Sequence, residues 1–387
     1  MIIHPADRTG SVKEYYFSVK NKEIAAMNAD GRSEPVINLG IGSPDGRPPQ
    51  AAIDALCASA VQDGVHAYQP YIGIPELRKA FAGWYSRWYG VSLDPSSEIQ
   101  PLTGSKEGIL ITSLAFLNKG DKVLVPDPGY PTYSSSARLC EAEIVTYDLV
   151  EEIGWKPDLE ALEASDLSGV KMMWTNYPNM PTGAPADPAL YEKLVDFGRR
   201  HGILVCNDNP YSFILTEKHH SILAVPGAKD CCLELNSLSK AHNMAGWRIG
   251  MVASSADVIY EILKVKSQLD SGIFRPLQLA AVEALSQGPE WFSELNAEYA
   301  LRRQAAGRIF DALGVRYNPD SQGLFLWGRV SDGVDPVALS DKLLHEAGVF
   351  ITPGFIFGRN GEKYLRVSLC ATVEKLGRAL EKIKSVL

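Results

Sequence analysis

The amino-acid sequence predicts an α/β protein: a large domain with a mostly parallel central sheet flanked by helices, plus a smaller α+β domain built from the N- and C-terminal segments. Two observations carry that expectation. In the middle of the 387-residue chain, short β-type runs alternate with helical patterns. After about Pro289 the texture changes to one long polar helix, two separated β-type runs and a terminal helix. The length exceeds one ordinary domain, and 45% hydrophobic with 22% charged residues leaves enough apolar surface for a large core.

The elements follow in chain order. Residues before about Pro44 are assigned to the smaller unit, which gives 45–288 for the large domain and 1–44 with 289–387 for the small, discontinuous one. Lys122-Val-Leu-Val-Pro, Glu143-Ile-Val-Thr-Tyr and Val170-Lys-Met-Met-Trp-Thr-Asn read as strands, as do Ile203-Leu-Val-Cys-Asn, Cys231-Cys-Leu-Glu-Leu and Arg248-Ile-Gly-Met-Val. Between them, Asp187–Arg200 repeats apolar residues at spacings of three and four, which predicts a helix capped by Asp187 and stopped by Gly202. Such alternation argues strands that run parallel and are covered on both faces. Beyond Pro289, Glu290–Leu313 reads as a long helix, Gly323-Leu-Phe-Leu-Trp-Gly and Lys363-Tyr-Leu-Arg-Val-Ser as strands, and the segment from about Thr372 as the last helix.

Charge and punctuation narrow the function class. A net charge of −8 argues against an electrostatic nucleic-acid footprint. No run approaches eighteen uninterrupted apolar residues and the start shows no apolar leader, so a cytoplasmic protein without a membrane segment is expected. The six cysteines are scattered without a C-x-x-C pair and the seven histidines lack metal-ligand spacing, so neither a metal nor a disulfide framework is expected.

The most informative stretch is Asn236-Ser-Leu-Ser-Lys240-Ala-His-Asn-Met-Ala-Gly-Trp-Arg248-Ile-Gly250. A nucleophilic amine, Lys240, stands among the hydroxyls of Ser237 and Ser239, with the permanently charged fork of Arg248 downstream. Those donors suit a phosphate dianion, and an amine beside an anchored phosphate suggests a lysine joined as a Schiff base to pyridoxal phosphate (PLP). Upstream, Asn207-Asp-Asn-Pro-Tyr211 closes a strand, where open α/β sheets place their ligands. There Asp208 is suited to keep a pyridine nitrogen protonated, and Tyr211 to reach a ring oxygen. Leu102-Thr-Gly-Ser-Lys-Glu-Gly108 opens a helix whose free N–H groups at Gly104, Ser105 and Lys106 suit a phosphate. It lacks the Walker spacing. Tyr130, in Pro126-Asp-Pro-Gly-Tyr130-Pro, is a candidate to stack on a planar ring. Arg366, on a strand among apolar neighbours, is a candidate for a carboxylate clamp. Gly40-Ile-Gly42-Ser-Pro-Asp-Gly46 is no dinucleotide fingerprint, because the spacing is wrong and prolines obstruct the helix that should follow.

Together these residues resemble the class I/II aminotransferases, the aspartate-aminotransferase-like PLP enzymes, over about Ile37 to Ser368. The resemblance implies that Lys240 is the Schiff-base lysine and shuttles the proton of the substrate Cα. It implies phosphate binding by Ser237, Arg248, Gly104, Ser105 and Lys106, a ring-nitrogen role for Asp208, a ring-oxygen role for Tyr211 and stacking by Tyr130. Arg366 and Gly42 are implied at the substrate carboxylate. Tyr68 resembles the tyrosine that reaches the phosphate of a neighbouring subunit, which implies a homodimer with shared active sites, and Ser271 is a weaker match of the same kind. The chain departs from the family at Asn176-Tyr-Pro-Asn179-Met180-Pro-Thr-Gly183, where Met180 takes the place of the asparagine that bonds the ring oxygen. A thioether cannot donate that hydrogen bond, which leaves Asn179, Asn176 or Tyr211 alone to do so.

The implied reaction is a ping-pong exchange of an amino group between an amino acid and a 2-oxo acid. The alternative on the same scaffold is carbon–sulfur β-elimination, since fold does not fix reaction. Arg47 and Arg275 are candidates for a second carboxylate contact. Gly42-Ser-Pro-Asp and Asn-Met-Pro-Thr-Gly lean toward relatives of LL-diaminopimelate aminotransferase.

Overall fold

The computed structural model describes residues 2–32 and 34–387. In chain order the strands are β1 (Ile37–Asn38), β2 (Ile99–Leu102), β3 (Lys122–Asp127), β4 (Glu143–Asp148), β5 (Val170–Thr175), β6 (Leu204–Asp208) and β7 (Cys232–Ser237). They continue with β8 (Gly250–Ala253), β9 (Arg316–Tyr317), β10 (Phe325–Arg329), β11 (Val349–Phe350), β12 (Thr352–Pro353) and β13 (Tyr364–Ser368). A seven-stranded sheet takes the order β2-β8-β7-β6-β5-β3-β4. Its neighbours from β4 to β7 are parallel, and β8 runs antiparallel to both β7 and β2.

This sheet matches the expected mostly parallel layer, with helices on both faces, for a visible reason. Parallel strands buried on both sides must be apolar nearly throughout. Accordingly β3 is buried at all but its first position; β7 is buried at every position too, its Glu234 and Asn236 satisfied by hydrogen bonds with Asn207, Ser221 and Tyr89. One face packs Leu124, Met173 and Val205 against the helix Pro188–His201 and the helix Pro75–Tyr89. The other packs Val123, Met172, Trp174 and Leu235 against the helix Ser105–Phe116. Asp187 caps its helix through the Ala189 N–H, and Gly202 ends it in the left-handed region at φ 63°.

Two strand readings shift. Ile99-Gln-Pro-Leu102 is a strand the sequence did not announce, because it is short and carries a proline; it sits at the sheet edge, where a missing N–H is tolerated. Arg248 and Ile249 precede β8 instead of belonging to it. Arg248 stands at φ 56°, a left-handed conformation that ends the preceding turn and aims its side chain away from the ladder.

The C-terminal third forms an antiparallel sheet β12-β13-β10-β9 backed by the helices Pro289–Ala312 and Val373–Lys384, through Ile309, Phe310, Leu376 and Ile383. The N-terminal segment joins it: β1 pairs with β11 in parallel, and the Ser368 N–H donates to the Leu39 carbonyl at 2.8 Å. No helix of the described residues is long and apolar enough to cross a membrane.

Candidate active site

The carboxyl ends of β5, β6 and β7 face the antiparallel sheet across a cavity of about 860 Å³. Topology puts the chemistry there. Asp208 closes β6, Ser237 closes β7 and starts the single turn bearing Lys240, and Asn176 follows β5. Gly42, Ser105, Lys106, Tyr130, Asp208, Tyr211, Ser237, Lys240, Arg248 and Arg366, all named from sequence, line this one space. Gly104 is not among the lining residues; it caps the helix that Ser105 opens and packs against Arg248.

At one end the donors are anionic-ligand donors. Ser105 and Lys106 are the first residues of a twelve-residue helix, so their N–H groups have no partner within it. Ser237 Oγ donates to Ser239 Oγ at 2.8 Å, and Arg248 Nη1 reaches Ser239 Oγ at 3.4 Å. Gly104, at φ 86°, lets this approach happen: a Cβ there would sit 2.0 Å from Arg248 Nη2.

In the middle stand the lysine and the carboxylate. Lys240 Nζ donates to the Gly42 carbonyl at 2.6 Å. Its pKa is lowered first by burial and further by the Arg248 and Arg366 charges, which outweighs the opposing pull of Cys370 and Asp208. Asp208 is buried, and burial pushes its pKa up to about 7 even though the Tyr133 hydroxyl donates to Oδ2 at 3.0 Å. Its other oxygen, Oδ1, is buried with no partner at all. A carboxylate oxygen left in that state is costly unless a cationic donor meets it. Tyr211 is buried against Phe325, and its phenol is pushed upward by burial and by Asp208.

At the far end Arg366 is enclosed. Its guanidinium lies 3.9 Å from the Phe325 ring centre, 4.5 Å from Phe357 and 5.3 Å from Phe17. Nη2 donates to the Gly40 carbonyl at 2.6 Å, Nη1 meets Met180 Sδ at 3.3 Å, and Nε has no partner. The ionisable groups that bear on it are phenols and a thiol (Tyr211, Tyr15, Cys370, Tyr130), and burial lowers its pKa to about 10, so it remains cationic at neutral pH.

Other expectations fall elsewhere. Tyr68 is 90% exposed and outside this cavity. Ser271 is exposed, Arg275 pairs with Glu76 at 3.1 Å, and Arg47 is exposed, so none of the three lines the cavity. Of the two asparagines, Asn179 is committed to its own turn: Oδ1 accepts from Thr182 Oγ1 at 2.7 Å and Nδ2 donates to the Asn176 carbonyl. Asn176 lines the cavity, and its Nδ2 donates to the Asp208 carbonyl at 2.5 Å. Sequence reading missed Tyr133, Phe325 and Phe357, together with Tyr15, Phe17, Asn21 and Lys22 from the N-terminal helix and the residue before it. Tyr133 carried a signal, since it lies one helical turn beyond Tyr130.

Over residues 34–383 the chain matches the family of class I and II aminotransferases. The chain belongs to this family. The aminotransferase is 40% identical to the LL-diaminopimelate aminotransferase of Aquifex aeolicus, with 98% of each chain covered. It is 38% identical to the enzyme of the same name from Dehalococcoides mccartyi, with 97% of each covered. Among solved structures it resembles substrate-bound BacF from Bacillus subtilis, with a TM-score of 0.94, 34% identity, and 100% and 98% of the two chains covered. The aminotransferase is thus a PLP-dependent transferase of amino groups. The residues present fit PLP: a buried carboxylate oxygen without a partner, a buried amine, and a donor-lined glycine cradle face one space.

Proposed function

We propose that this aminotransferase takes an amino donor carrying a second carboxylate, of the diaminopimelate type, and passes its amino group to a 2-oxo acid in a ping-pong cycle. The observation that carries the donor class is Lys106. Its Nζ stands 4.5 Å over the Tyr15 ring at the cavity wall, and among the described residues no carboxylate pairs with it. Tyr15 and Phe17 are neighbours at 5.5 Å, and Phe17 in turn contacts Arg366. Two cations therefore flank one aromatic pair, an arrangement suited to a substrate with a carboxylate at each end.

When bound, PLP supplies an aldehyde carbon for amines and an electron sink for the bond cleaved at the substrate Cα. The chain's residues do the rest in this reading. Asp208, whose Oδ1 is buried without a partner, would meet the ring nitrogen and keep it protonated, with the Tyr133 hydroxyl orienting the carboxylate. Ser237, Arg248 and the N–H groups of Gly104, Ser105 and Lys106 hold the phosphate. Tyr130 would stack on the ring, and Tyr211, with Asn176 in the same cavity, would serve the ring oxygen that Met180 cannot. Arg366 and Gly42 place the substrate carboxylate. Lys240 Nζ takes the Cα proton and returns it, for which an amine kept neutral by burial is suited. The division at 45–288 is part of this reading, supported by the pairing of β1 with β11. So is a cytoplasmic homodimer in which Tyr68, exposed here, completes the partner's phosphate site.

The test is a donor panel of LL-diaminopimelate, L-aspartate, L-alanine and L-phenylalanine, each with 2-oxoglutarate, for the wild type and Lys106→Met. The expected result is highest kcat/KM with diaminopimelate, and a selective loss of it in the variant, on the order of tenfold for one charge-assisted contact. Equal losses for alanine would defeat the assignment of Lys106. Pyruvate formed from cystathionine without a 2-oxo acid would favour β-elimination instead.

A further inference from the structure

The residues that bind substrate are held by a segment whose far end lies outside the cavity. From Leu39 to Arg47 the chain forms a strap across the cavity. One end is sewn into the small sheet: the Leu39 N–H donates to the Phe350 carbonyl at 2.9 Å, and its carbonyl accepts from Ser368. Two carbonyls then face the site, that of Gly40 accepting from Arg366 and that of Gly42 from Lys240, both at 2.6 Å. Neither glycine can grow a side chain here. A Cβ on Gly40 would lie 2.4 Å from the Phe350 ring, and one on Gly42 would lie 2.2 Å from the Phe325 ring.

The other end of the strap is fixed by charge. Asp45 Oδ1 accepts from Arg302 Nη1 at 2.7 Å, and the same nitrogen reaches the Leu369 carbonyl at 3.3 Å. Arg302 belongs to the long helix Pro289–Ala312, and its side chain is only 5% exposed. Its second nitrogen, Nη2, binds Glu298 one turn back on that helix, and its plane lies over Tyr299. A planar fork with fixed donor directions can therefore hold a helix, the chain end of β13 and the strap in one geometry.

We infer that Arg302 and Asp45 act as positioning residues for the amino-acid substrate: their pair sets where the strap presents the Gly40 carbonyl, and through it the waiting position of Arg366. This rests on the reading of Arg366 as the carboxylate clamp. With the pair broken, the strap keeps its anchors at Leu39 and Gly40, but beyond Gly42 it is tied down through the Asn243 side chain on the Arg47 carbonyl. Substrate then meets an arginine that is no longer pre-aligned, while the phosphate end, built on β7 and the helix Ser105–Phe116, is untouched.

The experiment uses the PLP-loaded protein and compares Asp45→Asn, Arg302→Gln, the double variant and Glu298→Gln, with the best donor of the wild-type panel. Asp45→Asn and Arg302→Gln should each raise the donor KM about tenfold or more, the scale of one weakened charge-assisted contact at Arg366. Their visible cofactor band should stay intact and kcat should change less than KM. The double variant should be no worse than the poorer single one, because both remove one contact. Glu298→Gln, which leaves the strap contact alone, should keep the wild-type KM. A wild-type KM in Asp45→Asn overturns the inference, as do effects that multiply in the double variant. If Arg302→Gln does not fold, Asp45→Asn decides alone. A normal Arg366→Ala variant would overturn the clamp reading instead, which separates the two failures.

Discussion

Replacing Asp208 with Asn should make the cofactor-free protein more stable while it makes the loaded enzyme worse. The carboxylate is buried, and burial raises its pKa from 3.8 to about 7. At about 1.36 kcal/mol per pH unit, holding it ionised above pH 7 costs the folded state about 4 kcal/mol. The direction follows from linkage. Between about pH 4 and pH 7 the folded state binds more protons than the unfolded one, so stability falls as pH rises through that window and levels off above it. Asparagine keeps the Tyr133 hydrogen bond but leaves a buried N–H at the place of Oδ1, a loss of about 1–2 kcal/mol. The net gain is about 2–3 kcal/mol at pH 8. With an unfolding entropy of about 2.1 cal/mol/K per residue, the 387 residues give about 0.8 kcal/mol/K, so the midpoint should rise by about 3 °C. Turnover should drop about 100-fold or more, the usual loss when one preorganised charge is removed from a developing one. Thermal scans of the cofactor-free proteins at pH 4 and pH 8, with initial rates of the loaded ones, check both halves. A variant no more stable than wild type at pH 8, or equally stabilised at pH 4, would refute the burial argument.

Three further outcomes follow from the same geometry. Arg366→Ala should raise the amino-acid KM about 30-fold or more, since it strands a substrate carboxylate in an apolar cage; an unchanged KM would remove Arg366 from the clamp. Because burial lowers the Lys240 pKa, its amine should become neutral below the ordinary lysine range, and kcat should rise with pH through that lowered value; a profile rising only above the ordinary lysine pKa would contradict it. Mixing Lys240→Ala with Tyr68→Ala chains, each nearly inactive, should restore part of the activity by forming one intact site per mixed dimer. No recovery after subunit exchange would argue against Tyr68 crossing to a partner.

The sequence made the large sheet readable because strands buried on both faces are dominated by apolar residues, as in residues 123–125 of β3 and 172–174 of β5. It also made the residues at strand ends readable, since Asp208 and Lys240 stand where punctuation interrupts those runs. What it hid was of two kinds. β2 breaks the local rule with a proline that only its edge position excuses. The aromatic cage of Arg366 draws on Phe17, Phe325 and Phe357, more than 300 positions apart along the chain at the extremes, and no local period marks such a meeting. The helix Tyr16–Ala29 buries a single residue, Ile24, so it offered no apolar stripe to signal that one of its faces lines the site.

Every role proposed for the cavity depends on Lys240 as the residue that carries PLP. The direct measurement is borohydride reduction of the PLP-loaded protein followed by peptide mass mapping. A reduced pyridoxyl adduct confined to the peptide bearing Lys240, and lost in Lys240→Ala, is the predicted result; an unmodified Lys240 peptide, or an adduct on another lysine, would contradict it.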